Sequence, residues 1–205
     1  MASLIASGQS SRRPSAPARA SEPRPRLRSA GVHHQGTDSA TLADADQFLV
    51  ELYGDRLRRH GRGVEHSRAV AALVAAEGQP PTIVLAGLLH DTLEDCDITA
   101  SELQQRFGAQ VATLVAALTE NPAIDRYAQR KAALRRQTVD AGTGAAVVAI
   151  ADKLAKVRDA EVAPRRRKLA HYRATLEEVE ARYGPNRLSH ALRRALDRGP
   201  DPAGC

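Results

Sequence analysis

The stretch that decides the fold is "IVLAGLLHDTLEDCDIT", residues 83–99. An apolar run leads directly into seven positions, 90–96, that hold one histidine, three carboxylates and a cysteine, without Gly or Pro to mark a turn. At about 100° per residue, a single helix here separates an aliphatic stripe from an ionisable arc. The stripe contains Leu85, Leu89 and Leu93, and the arc contains His90, Asp91, Glu94 and Asp95. We therefore predict one core helix whose ionisable face is functional.

The ionisable arc needs a cation, because it contains neither Lys nor Arg, whereas a solvated acidic face usually mixes both signs. His90 and Asp91 diverge on a helix, so one ion can bind both only if other segments add ligands. His66 and Asp152 are the candidates. Asp152 lies in the apolar "AIADKLAKV", where an unpaired charge costs several kcal/mol. The alternative partners for its charge are Lys153 and Lys156.

Composition predicts an all-α fold. The 205 residues are 42% hydrophobic but only 3% aromatic, with no Trp, which favours helices packed over small side chains. Apolar periodicity predicts about eight helices, and Thr99 with Glu102 forms a capping-box pattern. The expected organisation is a disordered basic Pro/Ser/Arg-rich tail over 1–38, one domain over 39–198 and a flexible C-terminus over 199–205.

Several classes of function are disfavoured. The formal net charge is +6, yet the arginines of the tail stand among Pro, Ser and Ala without aromatic residues, which argues against nucleic-acid binding. Two cysteines, Cys96 and Cys205, cannot form a disulfide framework, and no apolar window is long enough for a membrane span. We expect a cytoplasmic protein with no membrane partner; homo-oligomer formation stays open.

His66, the His90-Asp91 pair and Asp152 follow an H…HD…D pattern, which resembles that of the HD-domain metal-dependent phosphohydrolases. The segments "AGLLHDTLEDCDIT", "FGAQVATLVAALT", "QRKAALRR" and "ADKLAKVRD" are similar, in order and spacing, to the hydrolase domain of RelA/SpoT-type proteins and to the stand-alone small alarmone hydrolases. The resemblance covers about residues 40–195 and implies an all-α HD fold.

The resemblance also implies a site and a reaction. One Mn²⁺ is expected on His66, His90, Asp91 and Asp152, with Glu94 and Asp95 activating and orienting the attacking water. The implied reaction is hydrolysis of guanosine 3′,5′-bis(diphosphate), (p)ppGpp, to GDP or GTP and pyrophosphate. A mixed N/O ligand set suits Mn²⁺, Fe²⁺ or Zn²⁺, and such an ion activates water while a nearby carboxylate accepts its proton.

Substrate contacts are expected from basic residues around this site. They are Arg58, Arg62, Arg130, Lys131, Lys153, Lys156 and Arg158. Two departures from the family pattern concern recognition: "RLRRHGRGVEHSRAV" lacks the usual Gln, Pro and Tyr, and Lys156 stands where the family commonly has Asn. Two alternatives therefore stay open. One is an HD-domain phosphohydrolase of another nucleotide, such as a nucleoside monophosphate, a dinucleotide or NADPH; the other is a catalytically silent metal-binding regulatory protein.

The remaining histidines and Cys96 are assigned no chemistry. His60 is expected in a surface loop, and the solvated set contains His33, His34, His171 and His190. Cys96 is expected to be a small packing residue, because no histidine outside the metal ligands is placed to activate its thiol.

Overall fold

Ten helices make up the secondary structure of the residues that this computed structural model describes, 41–54, 63–159 and 164–198. They are α1 (Leu42–Tyr53), α2 (Gly63–Ala76), α3 (Pro81–Leu89), α4 (Thr92–Asp95), α5 (Ala100–Phe107), α6 (Ala109–Leu118), α7 (Tyr127–Asp140), α8 (Thr143–Arg158), α9 (Arg166–Tyr183) and α10 (Arg187–Arg198). This confirms the all-α prediction. The predicted N-terminal tail and C-terminal segment, 199–205, lie outside the described residues.

Local sequence signals start the helices as expected. At α5, the Thr99 hydroxyl accepts a hydrogen bond from the Glu102 amide at 3.2 Å, and the Glu102 carboxylate accepts one from the Thr99 amide at 2.8 Å. Thr41 and Asp44 form the same capping box at α1. Each box satisfies amides that have no partner within the helix. The predicted capping box at Thr99 is confirmed.

Helix α3 is the centre of the packing. It contacts α1, α2, α6 and α8, and α2 packs against α8 in turn. Gly87 permits the close approach of α2, because a Cβ at this position would lie 3.3 Å from Val74 Cγ2 and 3.6 Å from Ala71 Cα. The consecutive helices α2 and α3 therefore meet α8, which lies more than 50 residues later in the chain, over a core of small apolar side chains.

The prediction of one continuous helix through 82–96 is wrong, because α3 ends at Leu89. The His90 ring donates from Nδ1 to the Gly87 carbonyl at 2.9 Å, and the Thr92 hydroxyl donates to the Leu89 carbonyl at 2.7 Å. Side chains thus donate hydrogen bonds to backbone carbonyl oxygens in the last turn of α3. Asp91, at φ −93° and ψ −2°, links α3 to the short α4. The predicted ionisable arc is consequently divided between two elements.

The Thr99 capping box gives a prediction about stability. Thr99→Ala should lower the free energy of unfolding by about 1 kcal/mol, because the Glu102 amide loses its hydrogen-bond acceptor. Urea unfolding followed by circular dichroism measures this change. Thr99→Ser keeps the hydroxyl and should stay close to the unsubstituted protein; equal losses in the two variants would contradict the capping role.

Candidate metal centre and active site

Four predicted ligand residues converge where α2, α3 and α8 meet. His66 lies in the first turn of α2, His90 and Asp91 follow α3, and Asp152 lies within α8. One ligand atom from each residue can be chosen so that all four lie within 4.8 Å of one another. Asp152 Oδ1 is 2.9 Å from His66 Nε2 and 3.5 Å from His90 Nε2. The structure therefore brings together, as one cluster, the four residues singled out in the sequence.

The chemistry of His90 fits a metal ligand. Its Nδ1 carries the proton donated to the Gly87 carbonyl, so Nε2 is the nitrogen that faces the carboxylates. Nε2 is buried and makes no hydrogen bond of acceptable geometry with any described residue, although Asp91 Oδ2 lies 3.1 Å away. Two imidazole nitrogens and two carboxylates form the mixed donor set that divalent transition metals prefer. The cluster therefore fits such an ion, and we call these four residues the cage.

Neighbouring charges shift the pKa values of three cage residues, Asp91, Asp152 and His90. Burial acts to raise the pKa of Asp91 and Asp152, but cations hold both below the usual range: His90 and Lys156 for Asp91, and Lys156 and Lys153 for Asp152. Burial acts to lower the pKa of His90, yet Asp91 and Asp152 raise it to about 10. Both carboxylates therefore stay ionised and favour positive charge beside them.

Both lysines proposed as alternative partners of Asp152 contact it. Lys153 Nζ lies 3.1 Å from Oδ2. Lys156 Nζ lies 2.6 Å from Oδ1 and 3.9 Å from Asp91 Oδ2. Asp152 thus belongs to the cage and to an ion-pair network at once, so the two interpretations of this buried aspartate are not exclusive.

Glu94 and Asp95, the predicted catalytic pair, both lie on α4 and are each fixed by a residue that the sequence did not indicate. The Glu120 amide donates to Glu94 Oε1 at 2.6 Å, and the Tyr53 hydroxyl donates to Asp95 Oδ2 at 3.0 Å. Burial raises the pKa of the Glu94 carboxyl. The sequence places Tyr53 at the end of an amphipathic helix, and a buried tyrosine hydroxyl needs a hydrogen-bond partner. The sequence alone does not show which residue that partner is.

Those of the expected substrate-binding residues that the structure describes either form ion pairs or line a cavity. Glu120 pairs with Arg130, at 2.5 Å, and with Lys131. Arg158 lines a cavity of about 680 Å³ beside His66. The remaining two, Arg58 and Arg62, lie outside the described residues, as does His60.

The prediction that His171 is solvated is wrong. This side chain on α9 is only 6% exposed, and its Nδ1 accepts a hydrogen bond from Arg135 at 3.3 Å. Burial, together with Lys153, Lys131 and Arg135, lowers the pKa of His171 to about 3. His190 is exposed and Cys96 packs against the core, both as expected; His33 and His34 lie outside the described residues.

The chain is similar to known proteins over a region that contains the cage. A family model described as "HD domain" matches residues 45–177. Human "guanosine-3′,5′-bis(diphosphate) 3′-pyrophosphohydrolase MESH1" is 34% identical over 129 residues, which cover 60% of this chain and 72% of that protein. Two solved structures share the fold. A metazoan SpoT ortholog matches with TM-score 0.66 at 20% identity, over 78% of this chain and 96% of that one. Listeria monocytogenes lmo0812 matches with TM-score 0.57 at 25% identity, over 65% and 94%.

The cage predicts the effect of removing one ligand. Asp152→Ala should weaken divalent-metal binding more than about 100-fold, because the central carboxylate of the cluster is lost. Metal analysis of the purified protein after dialysis measures the stoichiometry. His190→Ala, which removes an exposed histidine, should retain the metal of the unsubstituted protein. Retention of one equivalent by Asp152→Ala would remove that residue from the ligand set.

The buried His171 predicts a dependence of stability on pH. Its pKa is about 3 in the folded protein and about 6.5 when unfolded, so only the unfolded chain gains a proton between these values. Stability is therefore lost as pH falls through that window. Between pH 7 and pH 5 the free energy of unfolding of the unsubstituted protein should fall by up to about 2 kcal/mol more than that of His171→Gln.

Urea unfolding of both proteins in excess EDTA measures this difference, since the chelator removes the pH dependence of metal binding. Parallel losses in the unsubstituted protein and His171→Gln would contradict the assignment.

Proposed function

The chain belongs to the HD-domain family, and from this premise we propose that it hydrolyses guanosine 3′,5′-bis(diphosphate), releasing pyrophosphate and GDP, or GTP from the pentaphosphate. The observation that carries the proposal is the His/Asp cage with the Glu94 carboxylate, whose pKa is raised, three residues after Asp91. A human relative, similar over most of its own length, is named for this reaction. None of the described helices is long and apolar enough to cross a membrane.

The reaction needs a water molecule to be deprotonated beside a phosphorus atom. A divalent ion held by His66, His90, Asp91 and Asp152 supplies two effects: it lowers the pKa of water and neutralises phosphoryl oxygens. Overall, water gives its hydroxyl to the departing pyrophosphate and a proton to the ribose 3′ oxygen. We propose Mn²⁺ as the ion, as the resemblance to the small alarmone hydrolases implies, and the cytoplasm as the compartment; the mixed nitrogen and oxygen donor set suits Mn²⁺, as it also suits Fe²⁺ and Zn²⁺.

Glu94 is the proposed proton acceptor. Burial raises the pKa of its carboxyl, which brings a carboxylate closer to the basicity useful at neutral pH. The Glu120 amide fixes one of its oxygens and so restricts the carboxylate to one orientation. Asp95 is the residue proposed to orient the water; its carboxylate accepts a hydrogen bond from the Tyr53 hydroxyl.

The cavity beside His66 is the proposed nucleoside site. Its volume, about 680 Å³, is within the range of small-molecule pockets. Apolar side chains such as Leu73 and Ala155 line one part of it, and Arg158 offers charge to a phosphate. The other basic residues proposed to meet the diphosphate groups are Arg58, Arg62, Arg130, Lys131, Lys153 and Lys156.

The proton-acceptor role gives the central test of this function. Glu94→Gln should lower kcat for pyrophosphate release from guanosine tetraphosphate by about 100-fold or more, because glutamine cannot accept the proton. Metal content should not change, because Glu94 is outside the cage. Glu177→Gln, an exposed substitution on α9, is the matched control and should keep full activity. An unchanged kcat in Glu94→Gln would contradict the role.

A nucleotide panel separates the alternatives. The unsubstituted protein with Mn²⁺ is assayed against guanosine tetraphosphate, nucleoside monophosphates, a dinucleotide and NADPH. Turnover confined to one of the others would assign a different substrate. Stoichiometric metal binding without turnover of any nucleotide would favour a metal-binding regulatory protein.

A further inference from the structure

Lys156 contacts the cage at the oxygens that would hold the metal. This residue lies one helical turn after Asp152 on α8, and its Nζ is 2.6 Å from Asp152 Oδ1. The same oxygen lies 2.9 Å from His66 Nε2. Nζ is also 3.9 Å from Asp91 Oδ2, the oxygen nearest His90 Nε2. The ammonium group therefore bridges both carboxylates of the cage.

Lys153, its neighbour on the same helix, differs in both placement and exposure. Its ammonium contacts Asp152 Oδ2, whereas both histidines contact Oδ1, and its side chain is 8% exposed. The side chain of Lys156 is 37% exposed. Lys153 is thus the more buried partner of Asp152, whereas Lys156 is more exposed to solvent.

We infer that Lys156 is an exchangeable counter-ion of the cage, a positioning residue that balances Asp91 and Asp152 before a divalent cation binds and withdraws when it does. This inference rests on the metal site of the proposed function. A divalent ion and an ammonium group at the same carboxylate oxygen repel each other. Metal binding must therefore displace Lys156 from Asp152 Oδ1, and the lysine lowers the affinity of the cage for the metal.

The experiment measures metal affinity without any substrate. The full-length protein is stripped with EDTA and titrated with Mn²⁺, free Mn²⁺ being followed by electron paramagnetic resonance. Lys156→Met should lower Kd about tenfold or more, the size of effect that groups beside metal ligands have. Lys156→Arg keeps the charge and should stay within threefold of the unsubstituted protein. Lys153→Met removes the same charge from the other oxygen and should change Kd less than Lys156→Met.

Thermal unfolding gives a second readout that a purely structural role would not produce. Without metal, Lys156→Met should lower Tm, because the buried Asp152 carboxylate and the partly buried Asp91 carboxylate lose a cation. With saturating Mn²⁺, the same variant should show a larger metal-induced rise in Tm than the unsubstituted protein. Lys156→Gln repeats both measurements if the methionine variant does not fold.

Three results would overturn the inference. The first is a Kd for Mn²⁺ within threefold of the unsubstituted value in folded Lys156→Met or Lys156→Gln. The second is an equal gain in Mn²⁺ affinity in Lys153→Met. The third is the absence of Mn²⁺ binding in every variant. The last would also remove the metal site itself. Tighter metal binding in Lys156→Met together with no hydrolysis of any nucleotide would support the inference and refute the proposed function, so the two failures are distinguishable.

Discussion

The burial of Asp152 is the constraint on which the site depends. It is one of two charged residues in the buried stretch of α8, whose other members are small or aliphatic. An isolated carboxylate there would cost several kcal/mol, and no single neighbour offsets it: two histidines and two lysines surround its oxygens. The packing of α2 and α3 on α8 is what brings the histidines there. The core and the site are thus one arrangement, because the apolar contacts that build the fold also fix the ligand positions.

The sequence singled out three of the four cage residues because they interrupt or directly follow an apolar pattern. Asp152 interrupts an apolar helix, and His90 and Asp91 follow an apolar run. Such an interruption can be recognised without knowing the fold, since a buried charge requires a partner wherever the helix packs. The end of α3 at Leu89 was not predictable in this way, because it depends on hydrogen bonds from the His90 and Thr92 side chains to backbone carbonyls. Hydrophobic periodicity contains no information on such bonds.

The residues that the sequence did not indicate share a different property. Tyr53 is 42 positions from Asp95, Glu120 is 26 from Glu94, and His171 is 36 from Arg135. Each of these pairs is created by the packing of helices distant in the chain. Their partners cannot be chosen from spacing, since many polar residues are equally distant. The helical fold and the candidate cage residues were therefore predictable, while the residues that contact Glu94 and Asp95 and the burial of His171 required the structure.

In the proposed function, charge balance joins the metal and the substrate in one site. Lys153 and Lys156 offset the two cage carboxylates, so a divalent ion adds positive charge to a cluster that is already near neutral. An anionic phosphate group beside the cage offsets that excess, and Lys156, once displaced, is a further cation available to it. Metal and phosphate therefore favour each other's binding through charge alone. A lysine at this position, in place of a neutral amide, makes the site more dependent on its substrate for full occupancy by the metal.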